Sequence, residues 1–139
     1  MSQISIRSAL ETQLATLTPK IATQFENVAF TPVTGIPYQS AYLMMNTPED
    51  TTVADSIMYR EKGIFQITLR YPLGKGTIAI MTQAEKIREA FKIGTLLTKD
   101  GRRIVCDKTP DIRVLPNEVD RFVVVVRVFF TADIFNLID

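Results

Sequence analysis

The sequence predicts an α+β fold, a single largely antiparallel (mixed) sheet with two amphipathic helices packed on one face. Three observations predict it. Two segments repeat apolar residues at helical spacing, several others alternate apolar with polar, and the run RFVVVVRVFFTADIF is apolar on both faces, as suits a strand inside a sheet. The elements come as helix, strands, helix, strands, which layers the helices over one sheet instead of alternating them with parallel strands.

The first helix is predicted from residue 5 to about residue 17. Ile6, Leu10, Leu14 and Leu17 share one stripe, while Arg7, Glu11 and Gln13 face water. Ser2 or Ser5 caps it, and Pro19 marks its end or the restart of a short helical turn through Ile21. A short strand is expected over residues 28–31, a turn over PVTGIP, and a second strand from Tyr38 to Met45. In that strand Tyr38, Ser40 and Tyr42 oppose Gln39, Ala41 and Leu43. Neither face is purely polar, so core is expected on one side and a partner on the other.

The stretch TPEDTTVADSIMYREKG, residues 47–63, is polar, carries Glu49, Asp50 and Asp55, and has no sustained period before SIMY. It is expected to be a long excursion between strands, of the kind that carries function. IFQITLRYP then alternates Phe65, Ile67 and Leu69 with Gln66, Thr68 and Arg70, a strand with one wet face that ends at Pro72. The second helix is predicted from residue 77 to about residue 92, with Ile80, Ala84, Ile87 and Phe91 inside, Glu85, Arg88 and Glu89 outside, and Gly94 as the stop. TLLTKDGRRIVC reads as a hairpin, because Asp100-Gly101 suits a two-residue turn that needs positive φ. A short strand at 112–115 and a turn at Pro116-Asn117 follow, and the last strand, from residue 121 to about 131, belongs in the centre of the sheet. No repeat, low-complexity tract or long linker divides the chain, so one domain is expected over residues 1–139.

Composition removes several chemistries. The chain of 139 residues has 46% hydrophobic and 22% charged residues, ordinary globular usage, and a net charge of +1 that supplies no bulk field for nucleic acid or an anionic membrane. No apolar run approaches the ~20 residues that cross a bilayer. The first residues lack the basic-then-apolar order of a signal peptide, so a cytosolic, soluble protein is expected. There is no histidine and a single cysteine, Cys106, which excludes Ser-His and Cys-His nucleophile pairs and most zinc sites. Cys106 is expected to be a structural or merely exposed thiol, since Arg102, Arg103 and Lys108 make only a weak case for a lowered pKa.

RYPLGKGTIAI resembles a phosphate loop at first sight. A P-loop, however, needs Gly-Lys followed by Ser or Thr and a glycine five positions earlier, whereas Gly74-Lys75 is followed by Gly76 and position 69 is leucine. The dinucleotide fingerprint fails too, for Gly76 is followed three residues later by Ala79 and the flanks are no parallel βαβ repeat. The glycines are therefore assigned to turning the chain from strand to helix. Glu49, Asp50, Asp55, Asp107 and Asp111 lie in turns and loops with no apolar surroundings to raise a carboxyl pKa, so a solvated surface outweighs catalysis. Lys99, Arg102 and Arg103 form the one dense basic cluster, read as a soluble turn with DNA contact as the alternative.

Taken together, the N-terminal helix, FENVAFTPVTGIPY, LRYPLGKG, AEKIREAFKIG and VVVVRVFF resemble the tail terminator family of long-tailed phages over nearly the whole chain. The resemblance implies a virion structural protein, not an enzyme, with no cofactor or metal: a homo-oligomeric ring, usually a hexamer. It implies a place at the head-proximal end of the tail after assembly in the host cytoplasm, where the ring stops tail-tube polymerisation and provides the head-joining surface. Its partners would be copies of itself, the tube protein and a head-completion or connector protein, with DNA passing through the bore unbound and no membrane. Interface residues are expected at Tyr38 and Tyr42, at Glu49, Asp50 and Asp55, and at Lys99, Arg102 and Arg103. The competing readings are another head–tail connector or completion protein, a cellular interaction module, and a small nucleotide-binding or hydrolytic enzyme using Lys75 and the loop acids.

Overall fold

The computed structural model describes residues 2–18, 20–53 and 56–136. Two helices, α1 (Ser2–Ala15) and α2 (Ile78–Ala90), lie over one mixed sheet. Its strands are β1 (Ala22–Gln24), β2 (Tyr38–Met45), β3 (Glu49–Val53), β4 (Ser56–Pro72), β5 (Leu96–Lys99), β6 (Arg102–Cys106), β7 (Asp111–Glu118) and β8 (Arg121–Asn136). The main path is β1-β2-β4-β8-β6-β5, with β3 on β4 and β7 on β8; only β1 on β2 is parallel.

The spine is the antiparallel ladder of β4 and β8, paired from Ile57↔Asn136 to Pro72↔Arg121. Period-two alternation puts Phe65, Ile67 and Leu69 of β4 beside Val124, Val126 and Val128 of β8 on the helix-covered face, all fully buried. Onto them come Ile6, Leu10 and Leu14 from α1 and Ile80, Ala84, Ile87 and Phe91 from the α2 segment, the residues whose spacing predicted two stripes. Each such Ile, Leu or Phe contributes about 1.5–3 kcal/mol on burial, so the helices are held by these stripes more than by propensity. Gln13 Nε2 donates to the Ala90 carbonyl at 3.1 Å and ties the two helices together.

Several boundaries differ from the sequence reading. Helix α1 starts at Ser2, which makes Ser5 an interior residue, and its hydroxyl donates to Asp100 Oδ2 at 2.9 Å instead of capping. Pro19 lies outside the described residues. No helical turn restarts at Ile21, because the chain goes straight into β1, whose parallel pairing with β2 satisfies its backbone. Residues 28–31 form no strand. The turn after β7 falls at Val119–Asp120, not Pro116-Asn117, since the ladder accommodates the proline by a register shift between Leu115 and Glu118.

The largest correction concerns residues 47–63. They form no irregular excursion: β3 and the first part of β4 make a hairpin, and β4 runs 17 residues. The segment shows little period-two apolarity because its outer strand β3 is an edge strand with Glu49 and Asp50 in solvent, while burial on the helix side of this β3–β4–β8 arm reaches Glu61 and Ile134 but not Asp50. Gly63 marks the base of the arm. An added Cβ would lie 2.5 Å from the Met44 carbonyl oxygen and 2.9 Å from Phe130 Cζ, so only glycine lets β2, β4 and the Phe130 ring meet there.

Candidate interaction surfaces

The loop PLGKGT leaves β4 and enters α2 with Gly74 at φ +79° and Gly76 at φ +74°, a left-handed geometry that other residues resist. Both glycines and Lys75 are exposed, and nothing lies within 4 Å of an added Cβ at either glycine. The backbone thus needs the glycines for direction, not for close approach to a ligand. Thr77 N-caps α2 without a side-chain hydrogen bond.

Cys106 is fully buried in the core beside Ile104, and burial, with a smaller contribution from Asp107, pushes its thiol up to about 11. A buried thiol of that pKa carries almost no thiolate near neutrality, which fits a packing residue. Among the described residues no group of three Cys, Asp or Glu side chains is arranged to hold a metal ion.

The residues expected at an interface fall in three places. Tyr38 is half-buried and largely covered by its own chain: the guanidinium carbons of Arg121 and Arg70 lie 5.0 and 5.7 Å from its ring centroid, and Phe30 tilts against it at 5.4 Å. Tyr42, on the same face of β2, is 52% exposed at the edge of a groove that includes Phe25, Val28 and Ala41. Beside it, Glu26 Oε1 accepts from the Leu43 amide at 2.6 Å and from Arg7 at 2.7 Å, fixing the loop after β1 to both β2 and α1. Burial works against the charge of Glu26, but the Leu43 amide and Arg7 outweigh it and hold the carboxyl below its ordinary range.

Glu49 and Asp50 stand on β3, at the outer edge of the arm, whereas Asp55 lies outside the described residues. Glu49 pairs with Lys62 at 3.1 Å, and Arg60 pairs with Asp133 directly across the β4–β8 ladder at 2.8 Å. On the opposite face of the arm's base, Glu61 is buried, and its Oε2 has no hydrogen-bond partner among the described residues.

Lys99, Arg102 and Arg103 flank the Asp100-Gly101 turn, whose φ values of +54° and +75° match the hairpin chemistry read from the sequence. Lys99 and Arg103 are exposed; Arg102 is half-buried and its Nε has no hydrogen-bond partner among the described residues. The arm and this turn project from the same end of the sheet, on its two opposite sides.

The other end carries a surface the sequence reading passed over. Arg121, buried, donates to the carbonyls of Ile36 at 2.6 Å and Val33 at 2.8 Å, drawing the PVTGIP turn to the start of β8. This places exposed Val33 and Ile36 near Val119 and Leu73, which flank the paired ends of β8 and β4. The available signal was the pair of aliphatics inside PVTGIP. By contrast, β8 offers little open apolar surface over Val123 to Val126, because Val123 and Val125 on its second face are buried as well, as suits the central strand its composition predicted.

A sequence profile of the phage tail terminator protein family matches residues 5–130. No curated protein matches the chain. Among solved structures, one chain is similar with a TM-score of 0.75 at 23% identity, covering 95% of this chain and 96% of that one. Another, from the virion of a native gene transfer agent particle, is similar with a TM-score of 0.65 at 16% identity, covering 96% of this chain and 97% of that one. At these identities the structural likenesses speak for the fold. The profile match spans most of the chain, so this protein belongs to the phage tail terminator family and has a structural role in the tail.

Proposed function

From that membership we propose that the protein, as one domain over residues 1–139, is a tail terminator. Copies close into a ring, a hexamer in the simplest reading, on the head-proximal end of the tail tube. The ring halts addition of tube subunits and presents the surface that receives the head. The observation that carries this reading is the family match over residues 5–130, which takes in α2 and most of α1 and of the sheet.

Such a role works through shape and requires no bond-making group, cofactor or metal. Ring closure repeats one heterologous contact by rotation, so two different surfaces of each copy must fit one another. Tyr42, Glu49 and Asp50 on the β3–β4 arm, Asp55, and the hairpin with Lys99, Arg102 and Arg103 are proposed for contacts with neighbouring copies or the tube. The exposed aliphatic rim of Val33, Ile36, Leu73 and Val119 is a further candidate for the tube or the connector. The small net charge suits a bore through which DNA slides without sticking.

Omitting this chain from an assembly reaction tests the proposal by electron microscopy of the tails. Overlong, headless tubes are expected; tails of normal length with heads attached would overturn it. A melting-temperature series with nucleotides and magnesium tests the non-enzymatic reading, because a ligand bound only by the folded state raises Tm. No rise is expected.

A further inference from the structure

Two rows of residues cross the sheet at the arm end. On the face away from the helices, Glu49 lies opposite Arg60, and Arg60 opposite Asp133. Continuing the β6–β8 register by one residue sets Arg103 opposite Asp133, with Thr98 beyond it on β5. Charge along this row therefore alternates, negative, positive, negative, positive, from the β3 edge to the hairpin. On the helix-covered face the neighbouring row runs Asp50, Tyr59, Ile134 and, by the same continuation, Arg102 and Lys99. Each row thus begins in a carboxylate on β3 and carries its cations on the far side of the sheet, Arg103 of β6 with Thr98 outside it in the first row, Arg102 and the edge residue Lys99 in the second.

Both edges are open: neither the outer side of β3 nor that of β5 has a strand partner among the described residues. Asp50, Lys99 and Arg103 are exposed, and none of the three has an ion pair among the described residues. An open strand edge is a template for pairing with another chain. Here the two edges of one sheet are complementary to each other and each is repulsive to itself, which favours head-to-tail association over a two-fold dimer.

We infer that the β3 edge of one copy docks against the β5 edge of the next, with Asp50 facing Lys99 and Glu49 facing Thr98, behind which Arg103 of β6 lies one strand further in. The inference deepens the ring reading and rests on it. Strands alternate in direction from β3 through β4, β8 and β6 to β5, so β3 and β5 run the same way and sheets laid side by side meet in a parallel junction. The junction would extend the alternation of charge from copy to copy.

The test uses two reversals in the full chain, Glu49→Lys with Asp50→Lys, and Lys99→Glu with Arg103→Glu, each supplied to assembly reactions lacking the native chain. Each reversal alone places like charges across every junction, and completed tails should fall by at least about tenfold. An equimolar mixture of the two should restore them, because alternating copies then present opposite charges at every junction. Full activity of either reversal alone, or no recovery in the mixture while both variants unfold at the native midpoint, would overturn the edge pairing and leave the terminator reading standing. If the native chain itself does not alter tail length, the terminator reading fails, and this inference with it.

Discussion

Arg121 lies with its guanidinium carbon 5.0 Å from the centroid of the Tyr38 ring, holding a residue from the start of β8 over one from the start of β2. The same guanidinium donates to the carbonyls of Val33 and Ile36, so it fastens the PVTGIP turn to the sheet. Replacing it by alanine forfeits two charge-assisted hydrogen bonds and the ring contact, an expected loss of about 2 kcal/mol in urea unfolding. Arg121→Lys should recover only part of that, since an ammonium lacks the planar fork that serves both carbonyls and the ring together. A lysine variant as stable as the native chain would contradict this account.

Gly63→Ala places a methyl group against the Met44 carbonyl oxygen and the Phe130 ring. The backbone oxygen cannot swing away as a side-chain tip can, so a loss of about 1–3 kcal/mol is expected. Phe130→Leu in the same chain should not rescue it, because trimming the ring leaves the carbonyl in place. Denaturant midpoints of the two variants decide the point.

Cys106 should be inert in the folded protein. With its thiol at about 11 and no exposed surface, it should resist a thiol reagent at pH 8 and react once denaturant opens the core. Rapid labelling of native protein would place it at the surface. Cys106→Ala removes buried volume and should cost about 1–2 kcal/mol.

Glu26 and Asp111 contribute to the response to acid. Arg127 and Arg113 hold the Asp111 carboxyl below its ordinary range, the Arg127 hydrogen bond contributing most, and Glu26 is lowered by the Leu43 amide and Arg7 against the effect of burial. A carboxyl depressed in the folded state adds stability that is complete above its unfolded pKa and lost as pH falls through the folded value. Stability should therefore decline as pH drops below about 4.5. Glu26→Gln should make that decline shallower, because the glutamine cannot take up the proton; an unchanged acid limb in a pH series of unfolding would remove Glu26 from the explanation.

Ser5 to Asp100 joins α1 to the tip of the β5–β6 hairpin. Ser5→Ala should cost only about 1 kcal/mol in stability. If the hairpin is part of a ring contact, the same change should also lower assembly, by loosening the turn that presents Lys99 and Arg103. Tail completion measured beside thermal stability separates the two effects.

The sequence by itself determined the helices, the central strand and the hairpin turn. Each rests on a local rule: Ile6, Leu10 and Leu14, like Ile80, Ala84 and Ile87, reveal a buried stripe by spacing alone, Val123 to Val126 reveal two covered faces, and Asp100-Gly101 reveals positive φ. Local rules also excluded a phosphate loop at Gly74-Lys75-Gly76. What only the tertiary structure decided was where elements extend beyond the core and which distant residues meet. The β3–β4 arm was illegible because alternation is imposed by a buried face, and Glu49 and Asp50 of its outer strand lie in solvent at the sheet edge. The row from Glu49 through Arg60 and Asp133 toward Arg103 joins four segments of the chain, and its alternating charge exists only once strand register, a non-local property, has aligned them.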